Sequence, residues 1–156
     1  MNIRPALADD LAAIVRLTEA AYGHYITLLG GPPLPITEDY APRIARGEVT
    51  LIEEDGSVAG LLVLERHLDY SLIFSVAVAP GFQGKGFGVS LLRQADEQTL
   101  RWGLPEVRLF TNARMERNIA IYQAYGYRET GRGPNPYRAG WTLVHMAKPV
   151  DQITTV

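Results

Sequence analysis

The apolar run Leu72-Ile73-Phe74-Ser75-Val76-Ala77-Val78 leads through Ala79 and Pro80 directly into Gly81-Phe82-Gln83-Gly84-Lys85-Gly86-Phe87-Gly88. No other stretch constrains the fold as much. The run reads as a strand, and its nearly continuous apolarity predicts burial on both faces. Pro80 ends it, because proline removes a backbone donor and fixes φ. From about Gly86 to Trp102, Val89, Leu92, Ala95 and Leu100 supply the apolar face of a helix. A glycine-rich turn therefore joins a strand to a helix start. Such a start carries unpaired N–H groups and the positive end of the helix dipole. Glycines there let an anion rest directly on the amides.

The rest of the chain builds a mixed sheet around this junction. Asn2 to Ala6 reads as a short strand, and Asp9 or Asp10 can cap a helix through Leu11, Ile14, Val15 and Leu17. Tyr22, Tyr25, Ile26 and Leu29 extend that helix towards Gly30-Gly31. The segment from Gly30 to Pro35 is predicted to be a loop, with a shorter helix from Thr37 to Arg46 stopping at Gly47. Val49–Glu53 and Val58–Glu65 are strands around the hairpin turn Glu54-Asp55-Gly56-Ser57, and Ser71–Ala79 is the third of this group. Val107–Phe110 is a strand, Met115–Tyr125 a helix and Tyr127–Thr130 a strand. A Gly/Pro/Asn loop from Gly131 to Pro136 precedes a last strand from about Gly140 to Ala147. The order β-α-α-β-β-β-α-β-α-β-β predicts an α/β (α+β) domain over residues 1–150, with 151–156 as a tail.

For the glycine loop, three readings compete. It could be a turn without a ligand. A dinucleotide site fits poorly, because a Rossmann unit would place its first strand near the N-terminus and an acidic residue on a following strand. A nucleotide P-loop needs Gly-Lys-Ser/Thr, and here Gly86 follows Lys85. The third reading is a coenzyme A site.

Gln83-Gly84-Lys85-Gly86-Phe87-Gly88, preceded by Val76-Ala77-Val78-Ala79-Pro80, resembles the Gln/Arg-x-x-Gly-x-Gly/Ala loop of the GNAT superfamily of N-acetyltransferases. Tyr122 with Gly126-Tyr127 is similar to that family's Tyr-x-x-x-Gly-Phe/Tyr segment. The resemblance implies a mostly antiparallel central sheet flanked by about four helices, with strands 4 and 5 splayed around acetyl-CoA. It implies that the amides of Gln83, Gly84, Lys85, Gly86, Phe87 and Gly88 hold the pyrophosphate. The edge of Val76, Ala77 and Val78 would pair with the pantetheine arm as an added strand does. Many members carry an Asn seven residues before the tyrosine. Met115 stands there in this chain, and Asn118, one turn before Tyr122, would take over the contact, with Tyr125 beside it.

Amide formation from a thioester needs a base for the amine, a donor for the oxyanion and a proton for the leaving thiolate. The resemblance implies the Val78 backbone N–H as oxyanion donor and Tyr122 as general acid. The base is Glu65 or His67, which follow the third predicted strand, or a chain of waters. His67 titrates in the useful range unperturbed, whereas Glu65 would need burial to raise it. In this family the first helices build the acceptor pocket, so Tyr22, His24, Tyr25 and Tyr40 are the candidate walls. An aromatic, nearly neutral pocket suits a small amine or an amino-acid or peptide derivative. Arg138 to Trp141 could close the pocket or form a homodimer contact.

Composition bounds these readings. The chain has 156 residues, no cysteine and a formal net charge of -2. Disulfides, thiolate metal ligands and a cysteine nucleophile are excluded, and no His/Asp/Glu cluster has metal-ligand spacing. The charge recommends no nucleic-acid partner. The absence of cysteine fits a reducing cytoplasm, and no apolar run suits a membrane span or a secretory signal. The expectation is an acetyl-CoA-dependent N-acetyltransferase acting by direct attack in a ternary complex. Transfer of another acyl group, transfer to a hydroxyl, and a CoA-binding sensor or partner protein without turnover are the alternatives.

Overall fold

The computed structural model of the chain describes residues 1–150, so the predicted tail at 151–156 lies outside the described residues. These form two compact units, one of Met1–Glu65 with Phe74–Gln94, the other of Arg66–Ile73 with the chain from Ala95 onward.

The first unit opens with β1 (Asn2–Pro5), a 3-10 turn at Ala8–Asp10 and α1 (Leu11–Tyr22). Three short helices follow, α2 (Tyr25–Leu29), α3 (Leu34–Thr37) and α4 (Ala41–Ala45). Then come β2 (Val49–Glu54) and β3 (Ser57–Arg66), and the later part of β4 (Ser71–Val78). Hydrogen bonding runs in the order β1-β2-β3-β4. β1 lies antiparallel to β2 with Ile3 opposite Ile52, and β2 antiparallel to β3 with Leu51 opposite Leu61. The β2–β3 hairpin turns on Asp55 and Gly56, both at positive φ (52° and 76°), as a two-residue turn matched to strand twist requires.

The long predicted helix ending at Gly30 is divided at Gly23-His24. α2 then ends on Gly30 at φ 82°, whose N–H caps Ile26 O at 2.9 Å. The proline segment from Gly30 to Pro35, expected to be wholly loop, ends inside α3, which begins at Leu34. Pro35 sits in the first turn of α3, where its missing N–H has no helical partner to lose. The next helix is confined to α4, ahead of Gly47 at φ 74°.

The strand buried on both faces is β3, not β4. Ala59–Leu64 are all buried. Its neighbours approach closely: a Cβ on Gly60 would lie 3.0 Å from Ala77 O and 3.1 Å from Leu91 Cδ1. β4 alternates instead. Ser71, Ile73, Ser75 and Ala77 are buried, while Leu72, Phe74, Val76 and Val78 are half-buried. The two serines occupy the buried face and the largest apolar side chains the other. A hydropathy run cannot reveal that arrangement.

The second unit holds the start of β4, the later part of α5 (Phe87–Arg101), β5 (Glu106–Asn112), α6 (Glu116–Tyr125), β6 (Arg128–Pro134) and β7 (Thr142–Pro149). Its strand order is β4-β5-β7-β6. β4 and β5 are parallel, which requires a crossover between them, and α5 supplies it. Their register covers Ser71–Ile73 against Val107–Leu109; β4 continues to Val78 and β5 to Asn112. β5 and β7 pair antiparallel over all seven residues of β5. β6 runs to Pro134, through residues expected to be loop, because β7 offers partners for Gly131–Pro134 once a bulge between Glu129 and Gly131 restores register. Buried Val107, Leu109, Val144, Met146 and Tyr127 form the core of this unit. The sheet has seven strands among the described residues, with antiparallel pairings predominating.

Candidate functional site

In the first unit, β4 delivers the chain into a 3-10 turn at Pro80–Phe82 and then into the glycines. Gly84 and Gly86 stand at φ 80° and 84° on either side of Lys85. A Cβ at either position would meet nothing within 4 Å, so the demand for glycine is conformational and the space above the loop is open. Alternation into the left-handed region turns successive N–H groups towards one concave side, the backbone arrangement that receives anions. The first ladder bond of α5 runs from Ser90 N to Gly86 O at 3.1 Å. The N–H groups of Phe87, Gly88 and Val89 therefore lie ahead of that ladder. Phe87 is buried with its ring 6.1 Å from that of Phe82, and exposed Lys85 holds its ammonium 5.5 Å above the Phe82 ring. The one cation of the loop is thus held beside an aromatic ring.

The strand that leads in is oriented by its neighbour. Ala79 N–H bonds Ala59 O at 2.8 Å, so alternation turns the peptide groups of Val76 and Val78 away from β3. On that edge the Val76 carbonyl accepts from the Tyr22 hydroxyl at 3.0 Å, and the Val78 carbonyl from Gln83 Nε2 at 3.3 Å. The Val78 N–H faces the same edge. Ala77 points its side chain into the core, and Gly88 lies so close that its Cβ would be 3.9 Å from Val78 Cγ2.

Among the acceptor-wall residues, Tyr22 is buried with its hydroxyl on β4, and burial pushes its phenol up. Tyr40 is 2 % exposed, donates to Pro35 O and is likewise pushed up by burial. His24 is exposed and packs its ring 4.0 Å from half-buried Tyr25. Of the four, His24 and Tyr25 present surface. The two fully buried tyrosines hold the framework. Glu65 accepts from Arg43 Nη1 at 2.8 Å. Arg43 is itself buried, also binds Glu38 and Glu48, and stacks 4.0 Å above the Phe74 ring.

In the second unit, His67 stacks on Tyr70 (4.8 Å, 8°) in the turn that precedes β4. Met115 is buried at the start of α6, where its N–H bonds Asn112 O, and half-buried Asn118 lies one turn further on. Half-buried Tyr122 meets Tyr127 edge-on at 6.0 Å and 67°. Tyr125 donates to Asp96 Oδ2 at 2.9 Å, and Lys148 Nζ reaches the same oxygen at 3.0 Å. Sequence reasoning missed Asp96 and Arg43. Asp96 did leave a trace, since an acid four residues after Leu92 and three before Thr99 interrupts the buried stripe of α5. Arg43 left none.

Among the described residues no group of three or more His, Asp or Glu could hold a metal ion, and no helix is long and apolar enough to cross a membrane.

Known proteins share this fold. The chain is 27% identical over 86 residues to the ribosomal protein bS18-alanine N-acetyltransferase of Escherichia coli, a match that spans 55% of this chain and 58% of that protein. The crystal structure of the ribosomal-protein-S18-alanine N-acetyltransferase from Escherichia coli superposes with a TM-score of 0.77 at 23% identity, covering 97% of this chain and 94% of that one. The PaiA N-acetyltransferase of Thermoplasma acidophilum, crystallised with coenzyme A, gives 0.77 at 16% identity, covering 95% and 98%. Residues 16–127, from α1 through the glycine loop to Tyr127 at the end of the second motif, match the Acetyltransferase (GNAT) family, and the chain belongs to it.

Proposed function

We propose that the chain transfers an acetyl group from acetyl-CoA to an amine by direct attack in a ternary complex. One observation carries the reading. Gly84 and Gly86 hold left-handed turns at the start of a fifteen-residue helix, directly after a strand whose Val76 and Val78 peptide groups face away from β3. Pyrophosphate oxygens would take the N–H groups from Gln83 to Gly88, where hydrogen bonds and the helix dipole act together. The pantetheine amides would take the outward edge of Val76 and Val78 as an added strand. Membership of the acetyltransferase family supports the same assignment.

The chemistry follows from the groups available. A neutral amine attacks the thioester carbonyl, forming the C–N bond. The oxygen that becomes negative is stabilised by the Val78 N–H. Collapse breaks the C–S bond, and Tyr122 gives the departing thiolate a proton. The amine's proton leaves through water or through one of Glu65 and His67. Glu65 is engaged with Arg43, which favours a water relay over that carboxylate. Exposed His24 and half-buried Tyr25 would border the acceptor. The Escherichia coli relative is named for an alanine of a ribosomal protein, which puts peptides with an N-terminal alanine beside small amines on the acceptor panel.

Calorimetry with acetyl-CoA tests the cofactor site. Wild type should bind in the micromolar range, and Gly86→Glu, checked for folding by circular dichroism, should not. A wild type that fails to bind refutes the proposal. Binding without turnover across the amine panel would instead favour a CoA-responsive partner protein.

A further inference from the structure

The C-terminal end of α6 is tied to a single carboxylate. Asp96, on α5, accepts at Oδ2 from both the Tyr125 hydroxyl on α6 and Lys148 Nζ on β7. Three elements of the second unit are thus joined at one atom. Lys148 also lies 5.4 Å from the Tyr125 ring, and a Cβ on Gly126 would come 3.3 Å from Lys148 Cε, so the lysine stem closes over the end of the helix. Asp96 Oδ1 and the Tyr127 hydroxyl are buried without hydrogen-bond partners among the described residues.

Stability alone does not favour such an arrangement. A largely buried carboxylate with one oxygen unpaired loses much of its hydration, and an apolar side chain would fill the space at lower cost. What the carboxylate supplies is direction. The Tyr125 ring, fixed through its hydroxyl, stacks 6.3 Å from the Tyr127 ring, which meets Tyr122 edge-on at 6.0 Å. Tyr122 is also one helical turn from Tyr125 on the same helix. Both the turn that carries Tyr122 and the ring it leans on are therefore referred to Asp96.

We infer that Asp96 is a positioning residue, which through Tyr125 and Tyr127 sets the orientation in which Tyr122 protonates the leaving thiolate. This rests on the acid role proposed above for Tyr122. The effect should appear in kcat and not in acetyl-CoA binding, because orientation of an acid matters only while the C–S bond breaks.

The experiment is steady-state kinetics on Asp96→Ala, Asp96→Asn, Tyr122→Phe and the double variant Asp96→Ala/Tyr122→Phe. Asp96→Ala should lower kcat about tenfold and leave KM for acetyl-CoA within about twofold of wild type. Asp96→Asn keeps an oxygen for Tyr125 and Lys148 and should recover most of the rate. The double variant should be no slower than Tyr122→Phe alone, since an acid that is absent cannot be misplaced. If Asp96→Ala does not fold, Asp96→Leu, which fills the space and offers Tyr125 no acceptor, takes its place in the same cycle. An unchanged kcat in Asp96→Ala, or losses that multiply in the double variant, overturn the inference while leaving the acid role standing. A Tyr122→Phe enzyme with wild-type kcat overturns the acid role, and this inference falls with it.

Discussion

The Tyr22 hydroxyl donates to the Val76 carbonyl at 3.0 Å and lies 3.1 Å from the Ser75 hydroxyl, tying the last turn of α1 to the middle of β4. Both side chains are buried, and burial pushes the phenol up, so it remains a donor across the working range. Tyr22→Phe strands the Ser75 hydroxyl and should cost about 1–2 kcal/mol in urea unfolding. Adding Ser75→Ala should recover part of that loss. A tyrosine spent on the framework should also leave the acceptor KM near wild type. A several-fold rise in acceptor KM with unchanged stability would return Tyr22 to the pocket wall.

Gly84 and Gly86 separate conformational from steric demand. Space is open at both, yet both have positive φ. Gly84→Ala should therefore cost about 1–2 kcal/mol, the penalty of the left-handed region, without any clash. If these turns aim the amides at pyrophosphate, acetyl-CoA affinity should fall by more than stability explains. Gly81, which has comparable space but no positive φ, is the control, and Gly81→Ala should change neither quantity appreciably.

Arg43 illustrates what removal of a buried cation does. It is 7 % exposed and bonds Glu38, Glu48 and Glu65 while covering the Phe74 ring. Arg43→Ala leaves three carboxylates facing one another and should destabilise by about 3–5 kcal/mol. Arg43→Met keeps an unbranched apolar stem over the Phe74 ring but removes the charge, so it should recover little of that loss. A Met variant close to wild type in urea unfolding would mean that packing on Phe74, and not charge, dominates.

Much of this was legible in sequence where a short-range cause acts. Asp55-Gly56 specifies its hairpin through two positive φ values, and Pro80 with the glycines marks the strand-to-helix junction whatever the rest of the chain does. Failures occurred where a distant partner decides. Gly131–Pro134 read as loop because their pairing with β7 depends on a bulge at Glu129. β4 read as buried twice over because hydropathy cannot tell that Ser71 and Ser75 find Thr99 and Tyr22 on the buried face. The same limit applies to the site. The glycine loop is local and was readable, whereas Asp96, Tyr125 and Lys148 meet from three separate elements and carry no joint pattern.

The opening of the chain has its own electrostatic lock. Arg4 on β1 reaches both oxygens of Asp10 at 2.8 Å and also binds Glu53 on β2, and Asp10 accepts the Leu7 N–H at 2.7 Å. The Arg4 guanidinium, and then the Leu7 amide, hold the Asp10 carboxyl down at about 2 from its ordinary 3.8. A carboxyl depressed in the folded state stabilises that state at every pH above its unfolded value. The contribution shrinks as pH falls below about 4 and is gone near 2. Asp10 and Arg4 remain 15 % and 27 % exposed at their side chains, so solvent screening limits the contribution to about 1 kcal/mol. Asp10→Asn keeps an acceptor for Leu7 but loses the charge. Its deficit, measured by urea unfolding, should therefore be full at pH 6 and should shrink steadily from pH 4 to 2. Equal acid sensitivity in wild type and variant over that interval would show that Glu53 alone anchors Arg4, and that Asp10 contributes only its cap on Leu7.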